Sequence, residues 1–260
     1  MKYYPIILLL ALCGAIGLHA NEAVVQYSSY TGLLQRLFDG FVTFEEALQY
    51  GDQGVGSTDG LNGEVIIQDG IPYRVNVLGK VEKVALDESA PYITLCDTPE
   101  SEAIECTLPE GTTYSALTNT ITNLLGKQFQ KNYPYAIRIS GVLLKAKTRS
   151  VPKSEKPYPA LVDIVADQSI FEFNDEEFVL IGFWYPAYAK AFNPPEWHIH
   201  GLTADKTSGG HVLDFETAKD VNVQLWKKTT FVVHQPDTQA FAETDFNQDM
   251  SAAVKKVNRD

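Results

Sequence analysis

The spacing of apolar and polar positions predicts three short helices in the first half of the chain. Residues 43–51 begin with Thr43 and Glu46, which have the spacing of a capping box. Residues 31–40 just before them, and residues 112–126 further along, also have a helical pattern. All three stretches end in glycine, a common helix terminator, with Gly51 as the stop of the first and Gly126 at the end of the third.

Strand patterns fill most of the remaining chain. Residues 63–86 predict three strands separated by glycine-containing turns, and residues 133–151 alternate like a pair of strands broken at Gly141. Four further stretches are rich in β-branched and aromatic residues: residues 177–189, 196–202, 211–217 and 221–235. With a short closing helix at 249–257, the pattern predicts an α+β fold in which two mixed or antiparallel sheets pack with a few helices.

The N-terminal segment has the character of a secretory signal peptide. Lys2 precedes an apolar run at residues 5–18, and Ala20 offers a small residue for cleavage. The run is too short for a membrane anchor, and the bulky Leu12 argues against lipoprotein processing at Cys13. We therefore expect cleavage of residues 1–20 and export to a periplasm or beyond.

The remaining chain is expected to form two subdomains. A stretch with three prolines, residues 147–162, separates an N-terminal α/β part, residues 21–150, from a C-terminal β-rich part, residues 151–260. Apolar residues are dense on both sides of this stretch, so a flexible linker is not expected.

The charge of the chain limits its partners. After loss of Lys2, 20 lysines and arginines face 33 acidic residues, a formal charge of −13. Such a surface repels nucleic acid and anionic membranes, and an anionic substrate needs a local positive site. Two cysteines remain after cleavage, Cys96 and Cys106. In an oxidising compartment such a close pair favours a disulfide, with a thiol site as the alternative.

Three of the five histidines lie within fourteen positions of one another. Side chains alternate along a strand, so His198 and His200 point the same way, about 6.6 Å apart. Residues 205–210 have turn chemistry, and a symmetric hairpin across them places His211 opposite His200, with Cβ atoms about 5 Å apart. A slip of one residue would instead send His211 to the other face.

Three neutral imidazoles on one surface suit Zn²⁺ or another borderline divalent ion. Three protein ligands leave coordination positions open, as in catalytic sites. The alternative is that these are separate surface or core residues, and His234, on another strand, is interpreted as an ordinary partly buried residue.

Two further residues are candidates for the chemistry. Glu64 shares a strand face with the apolar Ile66, an expensive place for a carboxylate unless it is paired or used. Arg149 could bind a carboxylate through two parallel hydrogen bonds. A structural salt bridge for Glu64 and a solvated basic loop for Arg149 remain the alternatives.

The chain resembles the acetolactate decarboxylase family over nearly all of its length after the expected cleavage site. The matching segments occur in the family's order, and the runs RSVPKSEKPYP and GGHVLDFE, the latter downstream of HIH, are specific. The other segments are QYSSYTGLLQRLFDG, LNGEVIIQDG, YAIRISG and GFWYPAYAKAFNPPEWHIHGLTAD.

The resemblance implies roles for the candidate residues. The family's zinc ligands are matched by His198, His200 and His211. Glu64, in the L-[DN]-G-E motif, matches the acidic residue beside the metal, and Arg149 matches the arginine of the active site. Ser57 stands where the family usually has a pocket-lining threonine.

One departure concerns the C-terminus. The family has a glutamate there that reaches the metal, whereas this chain offers Asn258 or, two residues on, Asp260. Either another group of the tail serves, or that carboxylate is dispensable.

The implied reaction is the zinc-dependent decarboxylation of (S)-2-acetolactate to (R)-acetoin and CO₂, without an organic cofactor. A metal that chelates the ketone and hydroxyl oxygens would stabilise the enediolate left by CO₂. Arg149 would orient the carboxylate, and Glu64 would manage the proton delivered to carbon. The resemblance also suggests a homodimer. The alternatives are a zinc hydrolase with Glu64 as general base, and a secreted zinc-binding protein without catalysis.

Overall fold

The computed structural model describes residues 23–248. The expected signal peptide, the closing helix at 249–257 and the tail residues Asn258 and Asp260 lie outside this range. Within it, the chain forms fifteen strands and five α-helices. None of these helices is long and apolar enough to cross a membrane.

Most strands follow one another along the chain, and the short α-helices stand between groups of strands or after the last strand. The strands are β1 (Ala23–Tyr27), β2 (Val42–Thr43), β3 (Gln53–Ser57), β4 (Glu64–Gln68), β5 (Ile71–Val75), β6 (Val81–Lys83), β7 (Ser89–Ala90), β8 (Tyr92–Cys96), β9 (Ile104–Leu108), β10 (Tyr135–Ser150), β11 (Ser169–Tyr185), β12 (Glu196–Thr203), β13 (Gly209–Thr217), β14 (Val221–Lys227) and β15 (Thr230–His234). The α-helices are α1 (Tyr30–Leu34), α2 (Phe44–Ala47), α3 (Leu117–Leu125), α4 (Leu161–Ala166) and α5 (Gln239–Glu243).

Two large sheets pack face to face, as the pattern of strands predicts. One has seven strands in the order β15-β1-β8-β3-β4-β5-β6, and the other has six in the order β11-β12-β13-β10-β14-β9. An additional pairing of β10 with β11 closes a circuit through β12 and β13. The α+β fold class is therefore confirmed.

The sheets do not follow the division of the chain expected at residue 150. Strands β9 and β10 precede that position but belong to the six-stranded sheet, together with β11 to β14. At the other end of the chain, β15 returns to the seven-stranded sheet and pairs in parallel with β1. Each sheet thus contains strands from both halves of the chain.

The three helix predictions in the first half of the chain are confirmed in outline. The capping box is present, since the Thr43 hydroxyl accepts from the Glu46 amide while the Glu46 carboxylate accepts from the Thr43 amide. Helix α1 is short, and α3 occupies the second half of the stretch predicted at 112–126.

The predicted break at Gly141 is wrong, because β10 runs without interruption from Tyr135 to Ser150. What changes at Gly141 is the neighbour of β10. Its first part pairs with β14 and its second part with β13. A Cβ at Gly141 would lie 2.7 Å from Val221 Cγ1, so the close approach at this exchange favours glycine.

Each face of the sheets has its own apolar core. The core between the sheets includes Val55, Ile66 and Phe183, all fully buried. Alternate residues of the same strands, such as Val65 and Ile67, face a second core that includes Phe44 of α2. The period of two along β4 therefore puts Glu64 on the side of Ile66, toward the six-stranded sheet.

The expected disulfide is not formed. Cys96 and Cys106 are both free. Cys96 ends β8 in the seven-stranded sheet and is buried between the sheets, whereas Cys106, in β9, packs against the core on the other face of the six-stranded sheet. Their side chains thus belong to different cores, although only nine residues separate them in the sequence.

Candidate active site

The predicted histidine hairpin is present with the expected register. Strands β12 and β13 pair His200 with His211, and His198 lies two residues before His200 on the same face. The centroids of the three imidazole rings are 5.0 to 5.1 Å apart. Their ligand nitrogens lie within 4.8 Å of one another, close enough to hold one metal ion.

A glycine allows this hairpin to lie against its neighbour. Gly210, next to His211, passes so close to β10 that a Cβ there would be 2.3 Å from the carbonyl oxygen of Arg149. Only glycine tolerates that approach together with a φ of 133°. The result is that β10 pairs Arg149 directly with His211.

The three histidines are neutral at physiological pH. Burial lowers the pKa of His198 to about 4, and the positive charge of Arg149 adds to this effect. Burial, first, and then the interactions with Arg149 and with the neighbouring histidines lower the pKa values of His200 and His211 well below the usual range. The His200 Nδ1 donates to the Val65 carbonyl at 2.9 Å, which leaves the lone pair on Nε2, 3.2 Å from His198 Nε2.

Arg149 is a buried strand residue and not part of a solvated loop. It lies in β10 with only 7% of its surface exposed. Its Nη1 donates to the Gln168 side chain at 3.2 Å. A guanidinium keeps its charge when buried, so Arg149 supplies the local positive site that an anionic ligand needs in this acidic protein.

Glu64 approaches the histidine cluster from the seven-stranded sheet. It is the first residue of β4, and its Oε2 lies 3.6 Å from His200 Nε2. Because that imidazole is neutral, the contact is not an ordinary salt bridge. Burial raises the pKa of Glu64 to about 7, and the charge of Arg149 partly offsets the rise. The carboxyl group is therefore able to exchange a proton near neutral pH.

Ser57 is part of the wall, but its hydroxyl is directed at the backbone. It ends β3, and its Oγ donates to the Gly63 carbonyl at 2.7 Å. Gly63 immediately precedes Glu64, so this bond supports the turn that delivers the carboxylate.

The residues surround one cleft of about 1020 Å³ between the sheets. Its wall also contains Tyr92, Tyr185 and the prolines Pro194 and Pro195. His234 does not line it. That residue is stacked on Tyr27 at a centroid distance of 4.8 Å, in β15 of the seven-stranded sheet.

Sequence reasoning missed three polar residues around this cleft. Gln168 bonds Arg149, while Tyr92 and the fully buried Asn193 bond each other. No motif or spacing distinguishes them. Gln168 follows a helix at an irregular position, and Tyr92 sits in an apolar strand where an aromatic residue is ordinary.

The structure is thus that of a protein in which one mixed and one antiparallel sheet enclose a cleft with three clustered histidines able to hold a metal ion, a buried arginine and a protonatable carboxyl group. Residues 24–248 match the family model of alpha-acetolactate decarboxylase. The chain therefore belongs to the alpha-acetolactate decarboxylase family.

Individual relatives agree with this assignment. The chain is 33% identical to alpha-acetolactate decarboxylase of Brevibacillus brevis, over 91% of this chain and 81% of that protein. It is 34% identical to the Bacillus licheniformis protein of the same name, over 90% of both chains. The crystal structure of alpha-acetolactate decarboxylase from Bacillus subtilis strain 168 superposes with a TM-score of 0.84 at 29% identity, over 91% of this chain and 98% of that one.

Proposed function

We propose that this protein decarboxylates (S)-2-acetolactate to (R)-acetoin and CO₂, with a zinc ion held by His198, His200 and His211. The observation that carries the proposal is the meeting of three neutral imidazoles, a buried arginine and a carboxyl group of raised pKa in one cleft. Family membership supplies the substrate class.

The donor set fits a borderline divalent cation. The Val65 carbonyl holds the proton of His200 on Nδ1, so the Nε2 lone pair faces the Nε2 of His198 at 3.2 Å. Two neutral nitrogens at this distance are well placed to share a cation, and a hydrogen bond from Nδ1 to a carbonyl is the usual support of a histidine ligand. A bound zinc ion would supply Lewis-acid polarisation of the substrate's oxygens, which stabilises the enediolate left by the loss of CO₂.

Arg149 binds and orients the substrate carboxylate. The guanidinium is already held by Gln168 and buried beside the histidines, so it presents a fixed charge where water is scarce. The breaking C–C bond leaves its electron pair on the former ketone and hydroxyl fragment, and CO₂ departs as a neutral molecule from the side of Arg149.

Glu64 handles the proton that the reaction requires at carbon. Its carboxyl oxygen is within reach of the histidine cluster, and a pKa of about 7 lets the group carry a proton in one step and give it up in another. Because Glu64 approaches from one side of the cleft, it protonates one face of the intermediate, which gives a single enantiomer of acetoin.

An assay of acetoin and CO₂ from acetolactate, before and after chelation and with zinc added back, tests the proposal. Activity that disappears with the chelator and returns with zinc is the expected result. A protein that releases no acetoin but cleaves activated esters would be the zinc hydrolase considered above, and one that does neither would be a zinc-binding protein.

Export and homodimer formation are part of the proposal. Export is supported by the apolar run at residues 5–18 that follows Lys2, and the homodimer is supported by the family resemblance. N-terminal sequencing of the secreted protein, expected to begin at Asn21, and its mass by light scattering test these two points.

A further inference from the structure

A buried polar network joins the two sheets beside the cleft. The loop of residues 186–195 connects β11 to β12, and its Asn193 is fully buried. The Asn193 Nδ2 donates to Gln26 Oε1, and its Oδ1 accepts from the hydroxyl of Tyr92. Gln26 and Tyr92 belong to β1 and β8 of the seven-stranded sheet, so Asn193 connects the loop of one sheet to the strands of the other.

The same loop is also held through its backbone. The Phe192 carbonyl accepts from Gln26 Nε2 at 2.9 Å and from the Tyr30 amide at 2.7 Å. The Ala191 carbonyl accepts from the amide of Thr31 at 3.2 Å and from its hydroxyl at 3.0 Å. Three consecutive residues of the loop, 191–193, are therefore bonded to residues 26–31.

This anchorage lies immediately before the histidine strand. Pro194 and Pro195 follow Asn193 and line the cleft, and Glu196 then adopts a φ of 72° before β12 continues to His198. A non-glycine residue in that conformation persists only where the surroundings hold it. Tyr92 itself lines the cleft, and its ring centroid is 6.4 Å from that of His198.

We infer that Asn193, held by Gln26 and Tyr92, is a positioning residue for the reaction. It fixes the loop of residues 186–195 and, through the rigid prolines, the starting point of the strand that carries His198. The Tyr92 hydroxyl is directed at Asn193, so Tyr92 serves as a wall of the cleft and not as an acid. The inference rests on the proposed decarboxylase function, but its structural part is testable without that activity.

Two variants and one control separate positioning from simple stabilisation. Asn193→Leu replaces the amide with an apolar group of similar size, and Tyr92→Phe removes only the hydroxyl bonded to Asn193. Thr217→Val is the control, since Thr217 is fully buried and its hydroxyl donates to the Pro109 carbonyl at 2.7 Å, outside the cleft lining.

The first measurement is hydrogen exchange in the segment that contains the Tyr30 and Thr31 amides. These amides donate to the loop, so Asn193→Leu should speed their exchange by about tenfold or more, as expected for local opening. Tyr92→Phe should have a smaller effect in the same direction, and Thr217→Val should have none.

The second measurement is steady-state kinetics with acetolactate at saturating zinc. A misplaced ligand strand should lower kcat about tenfold to 10²-fold in Asn193→Leu, less in Tyr92→Phe, and leave Thr217→Val at the parent value. If Asn193→Leu and Tyr92→Phe both kept the kcat of the parent, Asn193 would only stabilise the fold, and the inference would be overturned.

The remaining outcomes are also informative. If Asn193→Leu does not fold, Tyr92→Phe decides the matter through the same two measurements. If the parent releases no acetoin, the proposed function fails, and the exchange of the Tyr30 and Thr31 amides still decides whether Asn193 holds the loop. Unchanged exchange in both variants would overturn the inference by itself.

Discussion

The two sheets contribute to the cleft in different ways. The six-stranded sheet provides His198, His200, His211 and Arg149 from three neighbouring strands, and hydrogen-bond register alone places them together. The seven-stranded sheet provides Glu64, whose neighbour His200 is 136 positions away in the sequence. That contact exists only because the two sheets pack on a shared apolar core.

The two kinds of placement differ in how easily the position of a side chain can change. Positions fixed by register change only if a strand slips by a whole residue, which turns the side chain to the other face. Positions fixed by packing between sheets respond to small shifts in the core. The three histidines and Arg149 are of the first kind, and Glu64 is of the second.

Removal of a register-fixed ligand should have the largest effect. His200→Ala should lower kcat/KM for acetolactate about 10³-fold or more, because Lewis-acid stabilisation contributes several kcal/mol. Zinc content measured by elemental analysis should fall in parallel. His234→Ala is the matched control, since His234 lies on β15 away from the cleft and should keep both zinc and activity.

Replacement of the buried arginine should come next. Arg149→Lys keeps a charge but loses the planar fork, and kcat/KM should fall about 10²- to 10³-fold. Arg138→Lys, on the same strand, alters a partly exposed ion pair with Asp69 and should change activity about twofold at most. Equal activity of the two variants would mean that Arg149 does not bind the carboxylate.

The group delivered by the other sheet should have a smaller catalytic effect and a distinct pH signature. Glu64→Gln should lower kcat about 10²-fold, as for the loss of a general acid-base group. Its stability effect is best measured in metal-free protein by denaturant unfolding across pH 4 to 9.

The sign of that effect follows from the raised pKa of Glu64. The folded state holds the proton of Glu64 more tightly than the unfolded state does. The contribution of Glu64 to the free energy of unfolding of the parent is therefore fully present below about pH 4.5 and is lost as the pH rises toward 7. The rise from 4.5 to about 7 corresponds to about 3 kcal/mol. Glu64→Gln should therefore gain up to that amount relative to the parent above pH 7. A stability difference that does not vary with pH would contradict the assignment.

The cysteines should show the smallest effect. Cys96 and Cys106 face different cores, so a reducing agent should leave the thermal unfolding midpoint unchanged. Both should react with an alkylating reagent after unfolding without reductant. A midpoint several degrees lower in reductant would instead indicate a disulfide.

The local features of this protein follow from its sequence alone. The alternation of residues 196–202 and 211–217, with a turn between them, predicts the pairing of His200 with His211. The capping box at Thr43 and Glu46 is equally local. Such features depend on groups a few positions apart, whose geometry is set by backbone hydrogen bonds and side-chain periodicity.

Which distant groups meet is set by the tertiary fold. It joined β9 and β10 to the C-terminal strands, kept the two cysteines apart and brought Glu64 to His200. It also buried Asn193 against Gln26 and Tyr92, where no motif points. The physical reason is that apolar burial drives the sheets together without direction, and the final contacts between sheets depend on the shapes of all the packed side chains at once.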